Sequence, residues 1–68
     1  MALDISKIHE IMLEKGLNQI EVASKANMQT STLSKILSGK TQKSNTKTIH
    51  NIAKGLGVKP KEILKGDD

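Results

Sequence analysis

The sequence predicts a single all-α domain built from five short helices. Apolar residues recur at three- and four-residue intervals in several segments, and each of these segments is followed by a residue that ends helices. Strict alternation of apolar and polar residues, which is typical of a strand, does not occur. The chain has 68 residues, enough for one domain, so we expect the domain to cover residues 1–66 and the tail at 67–68 to be frayed.

The first helix is predicted from a broad apolar face over residues 4–15. This face comprises Ile5, Ile8, Ile11, Met12 and Leu13. Asp4 is suited to cap the start of the helix, and Gly16 supplies the left-handed residue that ends it.

A tight turn separates the second predicted helix from the third. The second helix is expected over residues 19–26, because Asn18 and Glu21 have the spacing of a capping box. Asn27 ends it, since asparagine tolerates the left-handed conformation better than other side chains do. The third helix begins two residues after this turn, ends at Gly39 and has one apolar face made of Leu33, Ile36 and Leu37.

The last two helices are expected after a polar, basic loop at 40–45. The fourth helix should begin near Thr46 with Asn45 as its cap, and Gly57 should end it. Pro60 is suited to the first turn of a short fifth helix, where its missing N–H is not needed.

Charge is distributed unevenly along the chain. The formal net charge is +4, and all eleven basic residues are lysines. No Asp or Glu occurs between Val22 and Lys61, whereas eight lysines lie in that stretch. This asymmetry indicates a basic face with a polyanionic partner. A solvated, lysine-rich surface is the alternative, and charge alone does not separate the two.

The missing residue types exclude several kinds of site. With no cysteine the chain cannot form disulfides, and with only two histidines besides it lacks the ligands for a structural zinc ion. It also lacks the aromatic residues on which single-stranded nucleic acid and RNA loops stack, so duplex DNA is the better candidate. No pair of titratable residues suggests an active site, so we expect no enzymatic activity, no cofactor and no small-molecule ligand.

We also expect a cytoplasmic protein with no membrane partner. No apolar run approaches the roughly 20 residues that a membrane-spanning helix requires. The first residues do not have the basic and then apolar pattern of a signal peptide.

Residues 19–38 have the pattern of a helix-turn-helix, in which two short helices are joined by a tight turn. Residues 17–28 read LNQIEVASKANM and resemble the second helix and turn of the lambda-repressor-like (Cro/cI, XRE) family. Residues 33–40, LSKILSGK, resemble the end of the family's recognition helix. Residues 48–58, TIHNIAKGLGV, are similar to its fourth helix.

The resemblance implies a domain that inserts its third helix into the major groove of DNA. Five positions would face base edges, namely Gln29, Thr30, Ser31, Ser34 and Lys35. Four would contact phosphates, namely Asn18, Gln19, Lys40 and Lys43.

Structural roles are the alternatives at these positions. Gln29 and Thr30 are equally suited to capping the third helix. Asn18 is expected to cap the second helix whether or not it also binds phosphate. Lys40 and Lys43 are solvated loop charges in the alternative interpretation.

Three features depart from the family pattern. Asn27 replaces the usual turn glycine, and Met12 and Leu37 occupy positions where many relatives have an arginine and a glutamate. An apolar contact is therefore expected in place of that ion pair, a change that is often neutral or stabilising. The lack of arginine removes the best bidentate donor to guanine and phosphate. We therefore expect a monomer to bind DNA weakly, and hence we expect a homodimer that binds a two-fold operator.

These features together favour a sequence-specific regulator that binds double-stranded DNA. We expect a repressor of phage, mobile-element or toxin–antitoxin type, of prokaryotic or phage origin. The second hypothesis is a protein-interaction module, an antitoxin or adaptor in which DNA binding is secondary. The polar, lysine-bearing face of the third helix favours the first, because an adaptor would more often expose apolar residues there.

Overall fold

The computed structural model describes residues 2–39 and 45–65. Within these ranges it contains four α-helices and one 3-10 helix: α1 (Ile5–Lys15), α2 (Gln19–Lys25), α3 (Thr30–Leu37), α4 (Thr46–Leu56) and the 3-10 helix (Pro60–Ile63). No helix in this part of the chain is long and apolar enough to cross a membrane. Residues 40–44 of the predicted loop lie outside the described residues, and so does the tail at 67–68 that was predicted to be frayed.

The helix order is as predicted, and the all-α fold is confirmed. The fifth element differs in type, because it is a 3-10 helix of four residues and not an α-helix. Pro60 is its first residue, as predicted, and Glu62 accepts a hydrogen bond from the backbone N–H of Lys59 at 2.9 Å. Four residues are too few to establish the hydrogen-bond pattern of an α-helix, and short connectors commonly adopt the tighter form.

The predicted capping residues hold the helix ends. The side chains of Asp4 and Asn45 accept backbone hydrogen bonds at the starts of α1 and α4, at 3.1 and 2.8 Å. Gly16 and Gly57 follow the same two helices in the left-handed conformation, with φ of 66° and 75°. Each satisfies backbone groups that a helix end leaves without a partner.

One apolar core joins all five elements. Its largest fully buried side chains are Leu3, Ile8, Val22, Leu33, Ile52, Leu56 and Ile63. Among the described residues no polar or charged side chain is buried. The fold therefore depends on apolar packing, as expected for a small chain without disulfides.

The predicted apolar face of α1 is wrong at Leu13. This side chain is 84% exposed, whereas the neighbouring Met12 is 7% exposed. At 3.6 residues per turn, consecutive positions point about 100° apart. Ile8, Ile11 and Met12 form the buried stripe, and Leu13 falls outside it.

The two ends of the described chain form an antiparallel bridge that the sequence did not predict. Leu3 pairs with Leu64, and the backbone N–H of Asp4 donates to the carbonyl of Ile63 at 2.8 Å. Only 2% of the surface of Leu3 is exposed, so this pairing brings an additional side chain into the core. A bridge this short has no alternating pattern by which it could be recognised.

Helix α4 packs against α2 with almost no space between their backbones. Gly55 is buried in α4, and a Cβ added there would lie 2.7 Å from the carbonyl oxygen of Val22 and 3.1 Å from the Cβ of Ala26. Only glycine permits this approach without movement of a neighbour. Because α2 also packs against α3, the approach fixes where the helix-turn-helix lies on the rest of the domain.

Lys15 links the end of α1 to the end of α4. Its Nζ donates to the carbonyl of Leu56 at 2.9 Å and to that of Gly57 at 3.3 Å. These carbonyls are at the C-terminus of α4, where a positive charge also interacts favourably with the negative end of the helix dipole. Lys15 therefore has a structural role.

Gly55→Ala is expected to lower the free energy of unfolding by about 2 kcal/mol, because the added methyl group overpacks the contact with the Val22 carbonyl. For a domain of this size, that loss lowers Tm by about 10 °C. Lys54→Arg, at the exposed neighbouring position of α4, retains the positive charge at the helix end, so it is the control and should change Tm little.

Thermal denaturation followed by circular dichroism measures both variants. Helix propensity alone predicts the opposite sign for Gly55→Ala, a gain of about 1 kcal/mol. A Tm at or above that of the wild type would therefore show that the two helices do not approach this closely.

Candidate nucleic-acid interface

Helix α3 buries one face and exposes a polar one. Its buried side chains are Leu33, Ile36 and Leu37, none more than 5% exposed. The exposed residues predicted to contact bases are Thr30, Ser31, Ser34 and Lys35. Ser31 and Lys35 are four residues apart and therefore neighbours on the helix surface, with Ser34 beside them. A stripe of hydroxyl groups and one ammonium group thus faces away from the core.

Gln29 occupies the N-cap position of α3, but its side chain makes no capping hydrogen bond. Its backbone is extended, with φ of −75° and ψ of 144°, and the residue is exposed. The capping role that was one alternative for Gln29 is therefore not found. Its side-chain amide remains a donor and an acceptor at the start of the polar stripe.

The start of α2 has the predicted capping box. Oδ1 of Asn18 accepts from the backbone N–H of Glu21 at 2.8 Å, and Oε1 of Glu21 accepts from the backbone N–H of Asn18 at 3.3 Å. The cap uses the carbonyl oxygen of the Asn18 amide, so its NH₂ group is the one suited to donate to a phosphate. Gln19 follows as the first, half-buried residue of α2.

The turn between α2 and α3 is held by backbone hydrogen bonds and one left-handed residue. Asn27 has a φ of 58°, as its position in the sequence predicts, and is the one non-glycine residue with positive φ in the described part of the chain. The N–H of Met28 donates to the carbonyl of Ala23 at 2.9 Å, and the Met28 side chain packs against the core. This turn fixes α3 relative to α2.

Met12 and Leu37 are both buried in the same apolar core, with 7% and 5% of their surfaces exposed. The predicted replacement of an arginine–glutamate ion pair by apolar side chains requires both positions to be buried, as they are. Neither residue places a charge in the interior, so no desolvation penalty arises there.

The lysines of the described chain are found in more than one place. Lys35 lies on the exposed face of α3. Lys15, Lys25 and Lys54 instead line a shallow cavity of about 320 Å³, and each lies in the last turn of its helix, as Lys35 also does. Lysines at helix C-termini offset the dipole, so part of the basic charge stabilises helix ends. Lys40 and Lys43, predicted to contact phosphates, lie outside the described residues.

Comparisons with known proteins cover the same elements. Residues 7–68 match the family model of the Cro/C1-type HTH DNA-binding domain. The chain is also similar to the crystal structure of the wild-type restriction-modification controller protein C.Esp1396I. The TM-score is 0.73 and the identity 34%, over 93% of this chain and 90% of that one. A comparison with curated proteins finds no match.

Asn18→Asp separates the capping role of Asn18 from phosphate binding. The aspartate retains the acceptor for the N–H of Glu21 and adds a favourable charge at a helix N-terminus, so the stability should be unchanged or raised by about 0.5 kcal/mol. The affinity for duplex DNA should fall, because the NH₂ donor is replaced by a carboxylate that repels phosphate.

Asn18→Ala is the comparison, since it removes both functions and should cost about 1 kcal/mol of stability. Urea denaturation and fluorescence anisotropy with labelled duplex measure the two quantities. If Asn18→Asp binds DNA as tightly as the wild type, Asn18 is a cap and nothing more.

Proposed function

Because the chain belongs to the Cro/C1-type helix-turn-helix family of DNA-binding domains, we propose that it binds a specific duplex sequence as a homodimer and represses transcription there. The observation that carries this proposal is the exposed polar stripe of α3, which lies opposite the helix's buried apolar face. Such a stripe gives a folded domain no stability of its own, whereas it suits the hydrogen-bonding edges of bases.

Each part of the interface has a distinct role in this proposal. Gln29, Thr30, Ser31, Ser34 and Lys35 contact base edges in the major groove and provide specificity. Asn18 and Gln19 at the start of α2, with Lys40 and Lys43, bind phosphates and set the orientation of the domain on DNA. The capping box and the left-handed Asn27 support both roles, because they hold α2 and α3 at a fixed angle.

Dimerisation follows from the limited contact that one subunit can make. A single eight-residue recognition helix without arginine provides few strong contacts. A second subunit doubles them on a two-fold site, whose half-sites lie about 10 base pairs apart. A dimer bound across a promoter excludes other proteins from it, which is repression in its simplest form.

The biological setting of this repressor is defined by the genes that it controls. Phage, mobile-element and toxin–antitoxin repression in a prokaryotic cytoplasm are the settings that the sequence favours. Similarity to a restriction-modification controller protein adds control of a restriction-modification system to them.

A protein-interaction role is the second candidate, and exposed apolar residues support it. Leu13 is 84% exposed and Ile20 67% exposed. They belong to α1 and α2, so a partner protein bound there would leave the polar stripe of α3 open. Recovery of a protein partner together with no footprint on any duplex would favour this candidate over DNA binding.

Lys35→Ala is expected to weaken specific binding about tenfold or more, since one bidentate contact contributes roughly 1–3 kcal/mol of base discrimination. Non-specific binding should fall much less. Lys54→Ala is the control, because it removes a lysine of equal charge at the end of α4. Anisotropy titrations at several salt concentrations measure both modes. An equal loss of affinity in specific and non-specific binding would mean that Lys35 contacts phosphate only. The slope of log K against log salt concentration should then be flatter by about 0.9.

The homodimer predicts the form of the DNA that the protein selects. Duplexes enriched from a random pool should be palindromic, with half-site centres about 10 base pairs apart. Sedimentation should give two protein chains per duplex, and duplexes cut to one half-site should bind weakly. Enrichment of a single non-repeated site with one chain per duplex would contradict dimerisation.

A further inference from the structure

We propose that the half-sites recognised by α3 are A·T-rich, with a guanine required only opposite Lys35. This inference rests on the proposed function and names the class of duplex that the interface accepts. It follows from which hydrogen-bonding groups the exposed stripe of α3 provides and which it lacks.

This surface can bind guanine bidentately at one position only. The major-groove edge of guanine presents two acceptors, N7 and O6, which are bound bidentately by arginine or lysine. The chain contains no arginine, and Lys35 is the lysine of α3. One guanine per half-site is therefore the most that α3 can bind in this way.

Adenine matches the side chain at the other end of the stripe. Its edge presents the N6 donor and the N7 acceptor, which pair with the donor and acceptor of a glutamine amide. Gln29 is exposed, and its amide is not engaged in capping α3.

Thymine matches Thr30, because an exposed threonine methyl group packs on the C5-methyl of that base. Ser31 and Ser34 add hydroxyl groups that donate to or accept from any base, so they do not favour G·C pairs. The hydroxyl of Ser38 donates to the carbonyl of Lys35 at 2.8 Å and is engaged with the backbone.

The length of the stripe limits the half-site to a few base pairs. From Gln29 to Lys35 the helix rises about 9 Å, at 1.5 Å per residue. Even with the axis of α3 parallel to the duplex axis, this rise would cover no more than about three base-pair steps of 3.4 Å, and an inclined helix covers fewer. Lys35 assigns one position to guanine, Gln29 and Thr30 assign adenine and thymine to two others, and the serines place no demand for G·C pairs on the rest.

The thymine contact is tested by removing one methyl group from each partner. In the duplex selected from a random pool, each thymine is replaced in turn by deoxyuridine, which lacks only the C5-methyl. At one position per half-site the wild-type affinity should fall about threefold, as expected for the loss of one buried methyl contact. The Thr30→Ser protein, which retains the hydroxyl, should bind the thymine and uracil duplexes equally.

The guanine contact is tested in the same way. Replacing that guanine by 7-deazaguanine removes the N7 acceptor and should weaken wild-type binding about tenfold. Lys35→Gln should lose this sensitivity and prefer adenine at the same position. Unchanged melting temperatures of both variants show that their effects are not due to unfolding.

The outcomes separate this inference from the proposed function. Selection of palindromic sites whose half-sites are mainly G·C would overturn the inference and leave the proposed function intact. Selection of no sequence from the pool would overturn the proposed function itself. Uracil substitutions without effect at any position, or with the same effect on Thr30→Ser, would refute the thymine contact.

Discussion

The close approach of α4 to α2 at Gly55 is the constraint on which the rest of the structure depends. It brings the backbone of α4 against the carbonyl of Val22, with no room for a side chain between them. Helix α2 is thereby fixed on the core, and the turn at Asn27 fixes α3 relative to α2. The outward direction of the polar stripe is therefore a consequence of backbone contacts behind it. A recognition helix needs this rigidity, because hydrogen bonds to base edges depend on correct placement.

In the proposed interface, positive charge attracts DNA and hydrogen bonding selects its sequence. The net charge of +4 attracts DNA, but some of the lysines that contribute to it stabilise helix ends. Lys15 binds carbonyls at the end of α4, and Lys25 and Lys54 lie in the last turns of their helices. The selective part of the surface is consequently small and mostly uncharged. In the proposed function, specific recognition depends on hydroxyl, amide and methyl groups, and for this reason we propose both a two-fold arrangement of subunits and a limited range of base pairs.

Local features of the fold could be predicted from the sequence, and contacts between distant residues could not. The capping box of Asn18 and Glu21 and the left-handed Asn27 depend on neighbouring residues, so their sequence pattern suffices. The Lys15 bond to the Leu56 carbonyl joins residues 41 positions apart, and the approach at Gly55 depends on how two helices cross. The exposed face of α3 was predicted because apolar spacing defines the opposite face. The DNA contacts of that face, and those of the loop lysines, stay predictions, since they require a partner.

The most direct measurement is backbone amide chemical-shift mapping of the labelled protein as a selected duplex is added. We predict the largest shifts at residues 29–35, smaller ones at 18–19 and almost none at 54–57. The two regions differ clearly, because the first includes the polar stripe and the second lies at the lysine-lined cavity. Large shifts at 54–57 with residues 29–35 unchanged would show that DNA binds elsewhere and that α3 is not the recognition helix.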